Sequence, residues 1–114
     1  PLRNVAVQPA FMHNGAFVRL EEAIRYHLDA VGSAATYSPA QLPVDLRGPV
    51  GPMEPVLRRL DPLLLRSVEL SEAEIQALVE FVGNGLLDPD ARVQRLRRLI
   101  PERLPSGRPG LMFK

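Results

Sequence analysis

Proline is the residue that most constrains how this chain can fold. Twelve of the 114 residues are proline, and most of them crowd into Pro39–Pro62 and Pro101–Pro109. Proline fixes φ, lacks a backbone N–H, and disfavours helix in the residue before it. The sequence therefore predicts turns and extended chain in these two stretches, with the longer helices elsewhere.

The absence of cysteine limits the chemistry of this chain. It excludes disulfides, thiolate metal sites, cysteine nucleophiles and the C-x-x-C-H segment that attaches a c-type haem. A net charge of +1 gives no reason to expect nucleic acid as a partner, and no apolar run is long enough to span a membrane. Apolar residues make up 46% of the chain, which is enough for the core of one small domain or of part of a larger one.

The segment before the first proline cluster has the pattern of an amphipathic helix from about Arg19 to Val31. Glu21 and Glu22 lie in its first turn, where carboxylates complement the helix dipole, and Gly32 is predicted to end it. His27 falls within its apolar stripe. The stripe consists of Leu20, Ala23, Ile24, His27, Leu28 and Val31, at the i, i+3, i+4 spacing of one helix face.

Further helices are predicted downstream. Ser71 and Glu74 form a capping box for a helix within Leu70–Val82, which Gly83 and Gly85 end. The other segments are a short helix over Glu54–Leu60, a turn opened by Asp61-Pro62 that extends through Leu65, and a fourth helix from Asp88-Pro89 to Pro101. No strand pattern or repeat is present, so residues 1–114 are predicted to form a single all-α domain with long proline-rich loops.

Two histidines precede the proline clusters. Phe11-Met12-His13-Asn14-Gly15 has the composition of a turn, because Asn and Gly tolerate positive φ, and Pro1–Gln8 before it is predicted to be extended. On pattern alone, His13 is either an exposed turn residue or part of a site. His27, in an apolar stripe, is either a hydrogen-bonded core residue or a metal ligand.

The order of these features resembles the C-terminal haem domain of the bacterial di-haem cytochrome c peroxidase family, which includes the MauG-type enzymes. Leu2-Arg3-Asn4-Val5, the turn Phe11–Gly15 and the helical Leu20–Ile24 are similar to the family's Leu-Arg-Asn-Val, Tyr/Phe-x-His-Asp/Asn-Gly and Leu-Glu-Glu-Ala/Val. The resemblance returns in Leu70–Val82. It implies a fragment of a cytochrome c-like helical domain with haem c as cofactor, attached through residues upstream of or outside this chain.

The resemblance also implies site residues. Alignment on Leu20–Ile24 puts His27 at the family's distal axial ligand to iron, a position that is usually Met and is Tyr in MauG-type enzymes, with Tyr26 beside it at the haem. Arg3 would pair with a haem propionate, since guanidinium suits a carboxylate. His13 would support the haem from the turn without binding iron.

Two methionines remain alternatives to His27. Met12 and Met53 carry thioethers, which also bind haem iron, although methionine in an apolar setting more often fills gaps in a core. Replacing a Met ligand by imidazole generally lowers the reduction potential of a haem.

The implied function is reduction of hydrogen peroxide in a periplasmic or otherwise exported protein. This chain would be the distal part of a longer protein and help to hold the electron-transfer haem, and the catalytic residues would lie upstream. The implied partners are the upstream haem-bearing segment or a companion chain, and a small electron-donor protein. MauG-type oxidation of a protein or other large substrate is one alternative, and a haem-free helical interaction module is another. Two C-x-x-C-H motifs in the complete protein would favour the enzymes.

Overall fold

The computed structural model describes residues 2–101 and 104–110, and the chain is all-α over these residues. Helical backbone accounts for 53% of them and none lies in a strand, which confirms the predicted all-α class. The sequence predicts a coil tail after Pro105 that ends in an apolar Leu-Met-Phe, and these three positions, 111–113, lie outside the described residues. The α-helices are α1 (Leu20–Leu28), α2 (Ala30–Thr36), α3 (Glu54–Leu57), α4 (Glu72–Glu80) and α5 (Val93–Leu96). Short 3-10 helices cover Val5–Val7, Pro39–Gln41, Val44–Leu46, Pro62–Leu65, Pro89–Ala91 and Arg97–Leu99, and Phe81–Gly85 is π-helical.

The chain divides into two compact units. One contains Pro1–Val7 and Phe81–Lys114, of which residues 2–7, 81–101 and 104–110 are described, and the other is Gln8–Glu80. Across the described ranges, no helix has the length and hydropathy needed to cross a membrane, in agreement with the sequence.

The predicted first helix is two helices. α1 ends at Leu28, and Asp29 leaves the helical region with φ −146° and ψ 87°. The Asp29 carboxylate accepts a hydrogen bond from Gly32 N at 2.9 Å and so caps α2. The prediction that Gly32 stops the first helix is therefore wrong. A Cβ at Gly32 would lie 2.0 Å from Asp29 Oδ2, so glycine makes room for the cap.

An arginine links α1 to α4 within the unit Gln8–Glu80. Arg25 lies one turn after Glu21, and its guanidinium also reaches Glu72 at the start of α4 over 2.5 Å. Both carboxylates raise the pKa of Arg25, Glu21 most strongly. The pKa of Glu72 is lowered by a hydrogen bond from Gln76 and by Arg25. This contact between residues 47 positions apart links the two helices.

The capping box at α4 is confirmed. Glu74 N donates to Ser71 Oγ at 3.3 Å, and Ser71 N donates to Glu74 Oε2 at 2.8 Å. The Ser71 hydroxyl also donates to Glu74 Oε2, at 2.7 Å. Two backbone donors at the start of the helix are therefore satisfied by side chains.

Removing the cap is expected to weaken α4 measurably. Ser71→Ala should lower the free energy of unfolding by about 1 kcal/mol at neutral pH, because Glu74 N loses its acceptor. Urea titration followed by circular dichroism measures the change. Ser67→Ala is the control. Ser67 is exposed and precedes the helix, so this variant should have the same unfolding midpoint as the parent chain.

Because of the same cap, the difference in the free energy of unfolding between the parent chain and Ser71→Ala depends on pH. Hydrogen bonds from the Ser71 hydroxyl and backbone lower the pKa of Glu74 below its ordinary 4.5. A carboxyl whose pKa is lower in the folded state stabilises the fold fully above 4.5, and this contribution disappears as pH falls through the folded pKa. The difference in the free energy of unfolding between the parent chain and Ser71→Ala should therefore become smaller below pH 4.5. A difference that becomes larger there would contradict the assignment of Glu74 to the capping box.

Downstream of α3, turns follow the prolines as predicted. α3 covers the first four residues of the predicted Glu54–Leu60 helix. Asp61 then accepts a hydrogen bond from Leu63 N and caps the 3-10 turn Pro62–Leu65. The proline-rich segment therefore consists of single turns, as expected when proline removes helical N–H donors.

Asn4 anchors the other unit. It has a positive φ of 63°, its N–H donates to Leu86 O at 3.1 Å, and its Oδ1 accepts from Asp88 N at 2.7 Å. The interpretation of Pro1–Gln8 as extended chain is wrong from Val5 to Val7, a 3-10 turn. Asn4 bonds to a segment more than eighty residues away, which its local sequence does not indicate.

The predicted fourth helix is broken. Asp88 caps Asp90 N as expected, but Pro89–Ala91 makes only one 3-10 turn, and Arg92 is extended with ψ 140°. α5 then forms a single turn before the backbone tightens to 3-10. Arginines three residues apart at 92, 95 and 98 repel one another along a helix, which disfavours a continuous α-helix here.

The buried core is small. Of the described residues, Phe11, Phe17, Ala23 and Ile75 are buried in the unit Gln8–Glu80, and Val82 is buried in the other. Leu63, Leu64 and Leu65, by contrast, are exposed. Each buried side chain therefore carries a large share of the stability of its unit.

Candidate functional site

The predicted turn before α1 is present and is closed by a backbone bridge. Phe11 N donates to Phe17 O at 2.8 Å, and Asn14 Oδ1 accepts from Ala16 N at 3.2 Å. Positive φ occurs at Gly15, as expected, but also at Met12 with 65° rather than at Asn14. Methionine rarely adopts this conformation, so the turn holds the Met12 backbone in a strained state.

A cluster of three aromatic rings supports the turn. The ring centre of Phe17 lies 5.6 Å from that of Tyr26 on α1 and 5.6 Å from that of Tyr37 after α2. The Tyr37 hydroxyl donates to Ala16 O at 2.9 Å. Tyr37 reaches back 21 residues to make this hydrogen bond, and nothing in the local sequence indicates the contact.

A cleft of about 490 Å³ opens beside this cluster. His13 and Tyr26, two of the predicted haem-contacting residues, both line it. The alternative iron ligands Met12 and Met53 also line it, and residues 48–51 of the proline-rich loop form another part of its wall. Its size suits a small organic ligand or part of a larger one.

His27 lies outside the set of residues that line this cleft. Its imidazole is exposed, whereas the stripe of α1 predicted a buried side chain, so that expectation is wrong. The ring lies edge-on to Tyr26, with 5.6 Å between centres. Leu20, Ile24 and Leu28, which share its helix face, are half-buried. His27 is therefore more exposed than the apolar side chains of the same stripe.

Arg3 is exposed and belongs to the other unit, that of Pro1–Val7 and Phe81–Lys114. Its predicted contact with a haem propionate stays a prediction. No group of three or more His, Asp or Glu side chains able to hold a metal ion occurs among the described residues.

Comparisons of the chain with protein-family profiles, with curated proteins and with solved structures found no match.

Proposed function

We propose that this chain is the distal part of a haem c domain in a di-haem cytochrome c peroxidase-like protein. In this proposal it helps to hold the electron-transfer haem and so supports the reduction of hydrogen peroxide. The sequence resemblance described above, from Leu2 to Ile24 and again in Leu70–Val82, is one support. The all-α class and the closed turn that leads into α1 agree with it.

The observation that carries the proposal is the state of His27. A histidine in the middle of an apolar helix stripe is normally buried and hydrogen-bonded, because burying an unpaired ring nitrogen costs free energy. Here it is exposed on the last turn of α1, at the position that aligns with the family's axial ligand. An imidazole in this position can coordinate an iron brought by another segment.

The other predicted residues fit such a group in different ways. Haem c would supply a redox-active iron, and this chain's residues would bind and orient it. Tyr26 is in edge-on ring contact with His27 and would help to orient the imidazole. His13 and the two thioethers of the cleft lie on the same unit as His27, and Met12 or Met53 is the axial donor if His27 is not.

A haem peptide tests the proposal on the 114-residue chain itself. The probe is a soluble c-type haem peptide whose iron carries one histidine and has an open sixth position. Adding the chain should convert the iron from high spin to low spin, measured by absorption and electron paramagnetic resonance. The affinity should exceed that of free imidazole by about tenfold or more, because the haem also contacts the chain.

Matched histidine variants decide which residue binds. His27→Ala should abolish the conversion, whereas His13→Ala should preserve the low-spin state and weaken binding. If the chain binds the haem peptide no more tightly than free imidazole does, the proposal that the chain has a surface complementary to haem is wrong. A full conversion in the His27→Ala variant would exclude His27 and leave the thioethers as candidates.

A MauG-type reaction is the second candidate function. Tyr26 precedes the aligned ligand, contacts its ring and lines the cleft, and an oxygen ligand at this place is typical of that branch. Oxidation of a protein substrate, rather than consumption of peroxide with a donor protein, would identify it.

A further inference from the structure

A second cleft in the unit Gln8–Glu80 has unusual hydrogen-bonding chemistry. It measures about 390 Å³ and shares the rings of Phe17 and Tyr37 with the first cleft. Glu22 from α1 and Gln41 from the 3-10 turn Pro39–Gln41 both line it. Two polar side chains from different elements thus line the same cleft as two aromatic rings.

Each of these side chains has an oxygen atom that lacks a donor. Glu22 Oε2 and Gln41 Oε1 are enclosed, and neither accepts a hydrogen bond from the described part of the chain. An enclosed acceptor without a donor costs about 1–3 kcal/mol, and more when it is charged. The other carboxylate oxygen of Glu22 has only a long contact, 3.8 Å, with the exposed Arg19.

Three of the donor groups that line the cleft are already in use. The Tyr37 hydroxyl donates to Ala16 O, and the Thr36 hydroxyl donates to Gly32 O, each at 2.9 Å. Arg25, at the edge of the cleft, is held by Glu21 and Glu72. The described chain therefore leaves both oxygens without a hydrogen bond, and each can accept one from a ligand.

Charge and shape define what that donor is. Residues 8–80 carry ten Asp and Glu against six Arg, so the unit attracts cations. An ammonium group offers three N–H donors, and aromatic faces favour a cation with an apolar stem. The terminal torsions of Glu and Gln are broad, so rotation about them is the movement by which the enclosed oxygens would reach a ligand in the cleft.

We propose that this cleft binds an alkylammonium group, which donates to Glu22 Oε2 and Gln41 Oε1 while its carbon chain lies against Phe17 and Tyr37. This proposal does not rest on the proposed haem function, although the two clefts share the rings of Phe17 and Tyr37. Its ligand is either a free primary amine or a lysine side chain of a partner protein, which present the same group.

Titrating the 114-residue chain with n-butylammonium tests the proposal. Chemical shifts of the Gln41 side-chain amide and of the Tyr37 ring should change saturably. Tetramethylammonium has the same charge but no N–H, so it should bind about tenfold more weakly or not at all. Acetyl-lysine-methylamide is the second probe: tighter binding than butylammonium identifies a lysine side chain as the ligand, and equal binding identifies a free amine.

Neighbouring glutamates provide the matched control. Glu22→Gln should weaken butylammonium binding by about tenfold, because the acceptor loses its charge. Glu21→Gln makes the same charge change one residue earlier, on a carboxylate that already binds Arg25, and should leave the affinity unchanged. Gln41→Glu keeps the shape of the side chain and should strengthen binding.

Three results would overturn the proposal. One is equal affinity for tetramethylammonium, which would show a nonspecific charge effect. Another is an equal loss in the Glu21→Gln and Glu22→Gln variants. The third is a direct hydrogen bond from the Gln41 amide to Glu22 in the free chain, detected by its amide proton shifts, because the acceptor would then be satisfied internally.

Discussion

Phe17→Ala is expected to unfold the unit Gln8–Glu80 at temperatures where the parent chain is folded. Phe17 is only 8% exposed and holds the rings of Tyr26 and Tyr37 together. Truncating a buried phenylalanine costs about 3–5 kcal/mol. That approaches the whole stability of a small domain, and few other side chains of this unit are buried. Urea unfolding monitored by circular dichroism and tyrosine fluorescence measures the loss.

Phe81→Ala is the control for this prediction. Phe81 is 57% exposed, so the same truncation should change the free energy of unfolding by less than about 0.5 kcal/mol. Equal losses in both variants would show that the aromatic cluster around Phe17 is not the core of its unit. Tyr37→Phe separates packing from the hydroxyl, since it keeps the ring and removes only the hydrogen bond to Ala16 O.

The second large effect is expected at His27 in the complete, haem-bearing protein. His27→Ala should open the sixth position of the iron and convert a low-spin haem to a high-spin one. His27→Met should keep the low-spin state and raise the reduction potential, because a thioether stabilises reduced iron relative to imidazole. Axial ligands shift haem potentials over a range of about 0.8 V, so redox titration will resolve the change.

His13→Ala is the matched control, because His13 is also exposed but is not expected to bind iron. It should leave the spin state unchanged. If His27→Ala preserves both the low-spin signature and the potential, His27 is not the ligand. Met12→Leu and Met53→Leu would then show which thioether of the cleft replaces it.

Local capping signals in the sequence predicted much of the fold. Ser71 and Glu74 form their capping box, and Asp61 and Asp88 each cap a turn that begins with proline. These contacts span two or three residues, so the sequence determines them directly. Asp29 shows the limit of such reasoning: it reads as a helix-surface residue, yet it ends one helix and caps the next.

The site residues implied by the resemblance stay predictions. His13 and Tyr26, which it places at the haem, line the same cleft in the structure. Tyr37 and Gln41 were not identified, because they reach the sites only through the path of the proline-rich loop. That path depends on packing between distant segments, which helix periodicity does not encode.

The backbone of Met12 has an evolutionary consequence. At φ 65°, glycine in place of Met12 would relieve about 1–2 kcal/mol of strain. Asparagine would also tolerate this conformation, as Asn4 does at φ 63°. A long thioether side chain stands there instead, on the wall of the first cleft. Under selection for folding alone, the position should drift toward glycine or asparagine. Retention of a large side chain here in related sequences would mark a lineage in which the cleft is still in use.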